Sequence, residues 1–167
     1  MNGWIRDWTS LWDLIERRAA ATPEARFAVD EDGRSLTFAE YRDAGLRAAA
    51  GFAALGVGEG DVVSWQLPTW LEAMVLVGAL SRLGAVQNPI LPIYRDREVG
   101  FVVRQAGSKV LVVTSEWRGF DYAGMARGIA ADNPGTEVVV VERGTLPEGD
   151  PATLGPVPAG AAGPFTP

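Results

Sequence analysis

Two short runs constrain this chain most: residues 109–113 (KVLVV) and 137–141 (EVVVV). Both are β-branched and apolar without alternation. A strand with one wet face alternates apolar and polar residues, so a continuous apolar run belongs to a strand covered on both faces. Strands of that kind occur in parallel sheets with helices on either side, and the rest of the chain must then supply the helices.

It does. Strand-like runs at 62–67, 85–87, 109–113 and 137–141 alternate with helical patterns at 70–83, about 96–106 and 116–131. The expected fold is α/β, with a layered, mostly parallel sheet flanked by helices through right-handed crossovers. An N-terminal helix over 11–21 and a β-hairpin precede it. The hairpin is read from 27–30 and 34–37 around Glu31-Asp32-Gly33, an Asp-Gly turn between short strand-like runs. Ser10 caps the first helix, with Leu11, Leu14 and Ile15 as its apolar face, and Thr22-Pro23 stops it.

Helix boundaries are written into the punctuation. Thr37 and Glu40 predict a capping box opening a helix over 38–55, with Phe38, Tyr41, Leu46, Phe52 and Leu55 facing the core and Gly56 in the left-handed position after it. Thr69 and Glu72 predict a second box, opening the helix over 70–83. Its 73–80 section is apolar on every side and should lie between layers. Gly84 ends that helix and Gly107 the next. Gly56, Gly58 and Gly60 do not make a dinucleotide loop, because that loop follows a strand and opens a helix, whereas these follow a helix and precede a strand.

With 167 residues, one α/β domain has core enough to fold. Cysteine and histidine are both missing from the sequence, so disulfides, thiolate nucleophiles, a Ser-His-Asp triad and His- or Cys-ligated metal are excluded. The net charge is −6 and Lys109 is the single lysine, which disfavours nucleic acid as a partner. The uncharged run 83–94 is too short and proline-broken to span a bilayer, and no secretion signal stands at the N-terminus, so a cytoplasmic location is expected. Trp4, Trp8 and Trp12, spaced by four, would share a helical face; they read either as a partner or lipid contact or as cover for the domain's own core.

Ligands of open parallel sheets sit beyond the carboxyl ends of the strands. The loops at 67–69, 88–94 and 114–117 qualify, and none of them carries a glycine-rich phosphate cradle or a carboxylate pair. Asn88 and Tyr94 are candidate contacts there, beside Pro89, which shapes a sharp exit from the strand. Arg95, Arg97 and Arg104 are candidate anion contacts near a helix start, against the alternative of a solvated face.

Three segments carry a family resemblance. LTFAEY (36–41) is similar to an L-[ST]-[YF]-x-E-[LY] motif, LGVGEGDVVSWQLP (55–68) to LGVxxGDxVxxxLP, and LSRLGAVQNPILPIYRDREV (80–99) to xxxxGAVxxPLxPxxxxxEL. In that order they resemble the N-terminal part of an adenylate-forming acyl-CoA synthetase, the AMP-dependent synthetase and ligase family. NPILPIYR points toward members acting on aliphatic or alicyclic acids, such as cyclohexanecarboxylate or fatty acids. Arg95 stands where a small polar cap is usual, and Thr69 where Asn is common.

The resemblance implies a chemistry in which ATP, Mg²⁺ and coenzyme A are used to make an acyl adenylate and then a thioester. The family's phosphate loop, its aromatic-Gly-x-[ST]-E segment, its ribose-binding Asp and its C-terminal-domain lysine have no counterpart in these residues, so no catalytic or metal-binding residue is assigned. The expected organisation is an α/β subdomain over 1–143 and a Pro/Gly-rich linker over 144–167, of which 151–167 hold five prolines, three glycines and no charge. The expectation is a fragment that is inactive alone, binds no cofactor itself and has the remainder of the synthetase chain as partner. Its substrate- or CoA-edge candidates are Asn88, Tyr94, Arg95, Arg97 and Arg104. Self-association would run through apolar surface left bare on the helices at 38–55 and 70–83. The alternatives are a complete non-catalytic α/β module for binding or assembly, and the start of a peptide-synthetase adenylation domain.

Overall fold

A computed structural model describes residues 8–158. Four parallel strands form the central sheet: β3 (Val62–Gln66), β4 (Val86–Pro89), β5 (Val110–Val113) and β8 (Glu137–Val140), in the order β4-β3-β5-β8. Register pairs Val63 with Val110, Ser64 with Asn88, and Val113 with Val140. All four residues of β5 are buried. Val110 and Val112 enter one core, Leu111 and Val113 the other, as the unalternating run requires.

The first core lies under α1 (Leu11–Ala21), α2 (Phe38–Ala54) and α3 (Leu71–Leu83); the second lies under α4 (Asp96–Ala106) and α5 (Tyr122–Asp132). The antiparallel hairpin of β1 (Arg26–Val29) and β2 (Ser35–Thr37) packs beside α2, where Phe27 stacks on Tyr41 at 3.9 Å between ring centroids. Fold class, hairpin, strand alternation and the buried α3 agree with the sequence reading.

The Thr37–Glu40 box forms: Glu40 N–H donates to Thr37 Oγ1 at 3.2 Å, and Thr37 N–H to Glu40 Oε2 at 2.8 Å. Gly56, Gly84 and Gly107 take the left-handed conformation, with φ of 81°, 69° and 61°. The Thr69–Glu72 box does not form. The helix begins at Leu71 with Trp70 at its N-cap, which puts Glu72 one position too early to close a box and leaves Thr69 exposed before the cap. The Glu72 carboxylate turns instead to Arg34.

Other differences have local causes. Trp12, not Leu11, enters the first core; Leu11 is 36% exposed. The helix starts at Leu11, so Trp8 lies outside it and shares no helical face with Trp12; Trp4 falls outside the described residues. Phe38, Leu46 and Leu55 are only part-buried, while Tyr41 and Phe52 are buried. The helix expected over 116–131 is split. Residues 116–121 form a tight hairpin, β6 (Glu116–Trp117) and β7 (Phe120–Asp121), with Arg118 and Gly119 both at positive φ, and α5 follows. Gly119 is thus a turn residue rather than a helix interruption. β8 is an edge strand whose outer residues Val138 and Val140 are only part-buried.

Composition reads 144–167 as a linker, yet its described part packs back on the domain. Gly149 N–H donates to Arg47 O at 3.0 Å, Leu146 and Leu154 join the first core, and Arg82 Nη2 donates to Gly155 O at 2.6 Å. The bare apolar surface also lies elsewhere than expected. Eleven of the thirteen residues of α3 are buried, and the exposed large apolar side chains include Val86, Leu91, Ile93, Tyr94 and Phe101, on β4, the loop after it and α4.

Candidate functional site

β3 sends the chain to β4 through α3, on one face of the sheet; β5 sends it to β8 through α5, on the other. Adjacent strands that diverge in this way open a crevice at their carboxyl ends, where open α/β sheets bind ligands. Its rim is built from the ends of β3 and β5 and from the loop after β4.

That loop is held from beneath. Gln66 is fully buried, and its Nε2 donates to Leu91 O at 2.8 Å and to Tyr94 O at 3.1 Å. Tyr122 Oη donates to Pro92 O at 2.7 Å. Arg95 Nη1 reaches Pro92 O at 2.7 Å and Tyr94 O at 2.9 Å, and its guanidinium lies 4.1 Å from the centroid of the Phe120 ring. With the carbonyls drawn inward, the side chains of Leu91, Ile93 and Tyr94 turn outward; Ile93 is 73% exposed. The loop is therefore a rigid, apolar lip.

The five residues singled out from sequence do not converge. Asn88 Nδ2 donates to Ser64 Oγ at 2.8 Å, and Ser64 Oγ lies 2.6 Å from Ser108 Oγ, so the Asn88 amide is engaged in a chain of polar groups within the sheet. Arg95 is occupied by carbonyls and aromatic rings. At the α4 N-terminus Glu98 Oε2 accepts from Arg95 N–H at 3.3 Å, but arginine has no acceptor to offer in return, so the box is half made. Tyr94 stands on the lip. Arg97 and Arg104 line the outer face of α4 and face a groove against α5.

Sequence reasoning missed Gln66 and Thr114, both fully buried at the crevice. Gln66 Oε1, Thr114 Oγ1 and Trp65 Nε1 are the buried side-chain polar atoms without a hydrogen-bond partner among the described residues. A glutamine inside VVSWQL was the available signal, since an amide in a covered strand must have work for its polar atoms.

The crevice has no glycine-rich cradle for a triphosphate, and no group of three His, Cys, Asp or Glu among the described residues could hold a metal ion. These residues do not by themselves fit ATP or Mg²⁺, and no chemical step is assigned to them. No helix among them is long and apolar enough to cross a membrane.

Fold and crevice define a doubly wound α/β unit with a preformed carboxyl edge. The AMP-binding enzyme family matches residues 15–163, and the chain belongs to that family. It is 38% identical over 135 residues to the salicyl-AMP ligase / salicyl-S-ArCP synthetase of Mycobacterium tuberculosis, covering 78% of this chain and 24% of that protein. It is 34% identical over 101 residues to the medium-chain fatty-acid–CoA ligase of Escherichia coli, covering 60% and 18%. The structure of a Mycobacterium tuberculosis fatty acyl CoA synthetase superimposes with a TM-score of 0.70 at 26% identity, over 78% of this chain and 26% of that one. The chain spans about a quarter or less of the length of these curated relatives.

Proposed function

We propose that this chain is the N-terminal piece of an ATP-dependent carboxylic acid ligase, one that forms an acyl adenylate and passes the acyl group to a thiol, and that it is inactive alone. One observation carries this reading: the family match runs over residues 15–163, while the chain spans only 24% and 18% of two curated relatives. The crevice agrees with it. Gln66, Tyr122 and Arg95 hold the loop after β4 in place, and the crevice among the described residues carries no carboxylate pair and no glycine-rich phosphate cradle. In the proposed enzyme this chain supplies the rigid apolar lip of Leu91, Ile93 and Tyr94, and the remaining polypeptide supplies the ATP, Mg²⁺ and CoA contacts.

The names of the relatives range from a salicyl to a medium-chain fatty acyl substrate, so the test takes both classes. The chain is incubated with ATP, Mg²⁺ and either salicylate or octanoate, and pyrophosphate release is followed. Background release is expected, and turnover above it would overturn the claim of inactivity. Reading the next 30 or so codons tests the rest: a Ser/Thr/Gly-rich loop with a lysine is expected. A stop codon without that loop would favour a complete non-catalytic module.

A further inference from the structure

β8 ends the sheet order β4-β3-β5-β8, so one of its sides has no strand beside it. Glu137 N–H donates to Lys109 O at 2.8 Å and Val141 N–H to Val113 O at 2.7 Å, which turns the odd-numbered residues toward β5. The backbone alternates, so the N–H and C=O of Val138 and Val140 point outward. These groups have no hydrogen-bond partner among the described residues.

An open edge ordinarily carries a device that stops another strand from adding, such as a proline, a lysine or a bulge. The opposite edge has one. On β4, Val86 N–H and Ile90 N–H go to Asp61 O and Trp65 O, so Gln87 and Pro89 face outward, and Pro89 has no N–H to give. β8 has no such device. It reads Glu-Val-Val-Val and keeps an unbroken register with β5. Its layer is also unfinished: Leu111 and Val113 of β5 are fully buried, whereas Val138 and Val140 on the same face are only part-buried.

We infer that β8 pairs with β8 of a second copy of this chain, antiparallel about a two-fold axis through Val139. The bare backbone groups call for a strand, and the sequence along the edge is complementary to itself. With Val139 on the axis, Val138 stands opposite Val140 of the second copy and exchanges N–H···O=C bonds with it; the axis repeats the exchange. Each side chain in that stretch meets valine, a β-branched residue suited to a pleated surface. Glu137 falls opposite Val141 and Glu142 opposite Thr136, so no like charges meet directly. α5 lies over β5 and β8, which sets the two α5 helices about 10 Å apart, an ordinary helix spacing. The α5 flank turned away from Gly124, Gly128 and Asp132 carries Ala130 and Ala131 together with the exposed Arg127. One short strand per copy buries less than the roughly 1,200 Å² of a standard interface, so half-association is expected at about 100 µM.

Sedimentation velocity on the chain from about 5 to about 500 µM should show a monomer passing to a dimer and stopping there. Added salt should strengthen the dimer, because each copy carries a net charge of −6. The sequence has no cysteine, so Val139→Cys gives one thiol per chain. At the axis this position meets itself in a non-hydrogen-bonded pair with Cα atoms about 4.5 Å apart, within disulfide reach, and mild oxidation should cross-link it. Gln87→Cys, on the opposite edge, should stay uncross-linked. Amide exchange of the unsubstituted chain keeps the test independent of any variant's folding. The Val138 and Val140 amides should exchange more slowly as concentration rises, and the Gln87 amide should not. A monomer throughout the range overturns the proposal. So does a dimer that leaves Val138 and Val140 exchanging freely, or one that cross-links equally through Gln87→Cys. Protection of Val138 and Val140 at every concentration would assign the edge to another segment of the same chain and overturns the second copy as well. None of these outcomes bears on pyrophosphate release, so the proposal stands or falls apart from the ligase reading.

Discussion

Arg34 grips Glu72 with both nitrogens of its guanidinium fork, Nη1 to Oε1 at 2.7 Å and Nη2 to Oε2 at 3.2 Å, across 38 residues of sequence. The pair ties the β1–β2 hairpin to the first turn of α3. It is extended on both sides: Arg34 Nε donates to Asp30 Oδ2 at 2.7 Å, and Gly144 N–H to Glu72 Oε1 at 2.7 Å. Arg143 continues the cluster to Glu31 and Asp32 and lies over the Trp70 ring.

The Glu72 side chain is only 7% exposed, so removing its partner strands a charge in the interior. Arg34→Met is expected to cost about 2–3 kcal/mol, less than a fully buried pair because the arginine is itself 36% exposed. Arg34→Met combined with Glu72→Leu should recover part of that loss. Urea denaturation of the two single variants and the double variant measures it; additive losses would show that the two side chains are not coupled.

The same pair sets an acid limb. Burial pushes the Glu72 carboxyl up, but the Arg34 guanidinium and backbone N–H groups outweigh it and hold the carboxyl below its ordinary 4.5. Such a group binds fewer protons folded than unfolded. Its contribution is therefore fully present above about pH 4.5 and is lost as pH falls through the lower folded value. Glu72→Gln should flatten the acid side of the stability profile relative to wild type, measured as melting temperature against pH from 3 to 7. An unchanged slope would remove Glu72 from that limb.

On the alkaline side, burial pushes the Tyr41 hydroxyl up to about 12. Its Oη donates to Met74 O at 3.0 Å, and its ring stacks on Phe27. Because the folded value is raised above the ordinary 10.0, this contribution is present below pH 10 and disappears as pH rises through about 12. Absorbance titration at 295 nm should show a tyrosine component that ionises late, together with unfolding, and Tyr41→Phe should remove that component.

What was legible in the sequence followed from local rules. The unalternating KVLVV gave a strand covered on both faces, Thr37 and Glu40 gave a real cap, and three glycines gave left-handed helix ends. What was not legible depended on distant partners. Thr69 and Glu72 satisfy the box spacing, but the helix starts one residue later and Arg34 competes for the carboxylate. Asn88 looked free because Ser64 lies 24 residues away. Gln66 carries the loop after β4 through two carbonyls more than 20 residues downstream. The hairpin at 116–121 was hidden because glycine marks a turn and a weak helix alike.

The segment after β8 gives a final prediction. Composition alone marks it as loose, yet it lies against α2 at a point of close approach. A Cβ at Gly51 would fall inside the van der Waals envelope of the Pro147 backbone, and one at Gly149 would come within 2.9 Å of Ala50 C. Gly51 sits inside a helix, where alanine would ordinarily stabilise by up to about 1 kcal/mol. Here the clash is with backbone rather than a movable side chain, so the sign reverses. Gly51→Ala should lift residues 145–155 off α2, breaking the bond from Gly149 N–H to Arg47 O and uncovering Leu146 and Leu154. Limited proteolysis should then cut within this segment at least tenfold faster than in wild type, while α2 keeps its helical signal. Gly128→Ala, with no atom near its Cβ, should leave the cleavage rate unchanged. Equal cleavage of wild type and Gly51→Ala would mean that the segment is not held at Gly51.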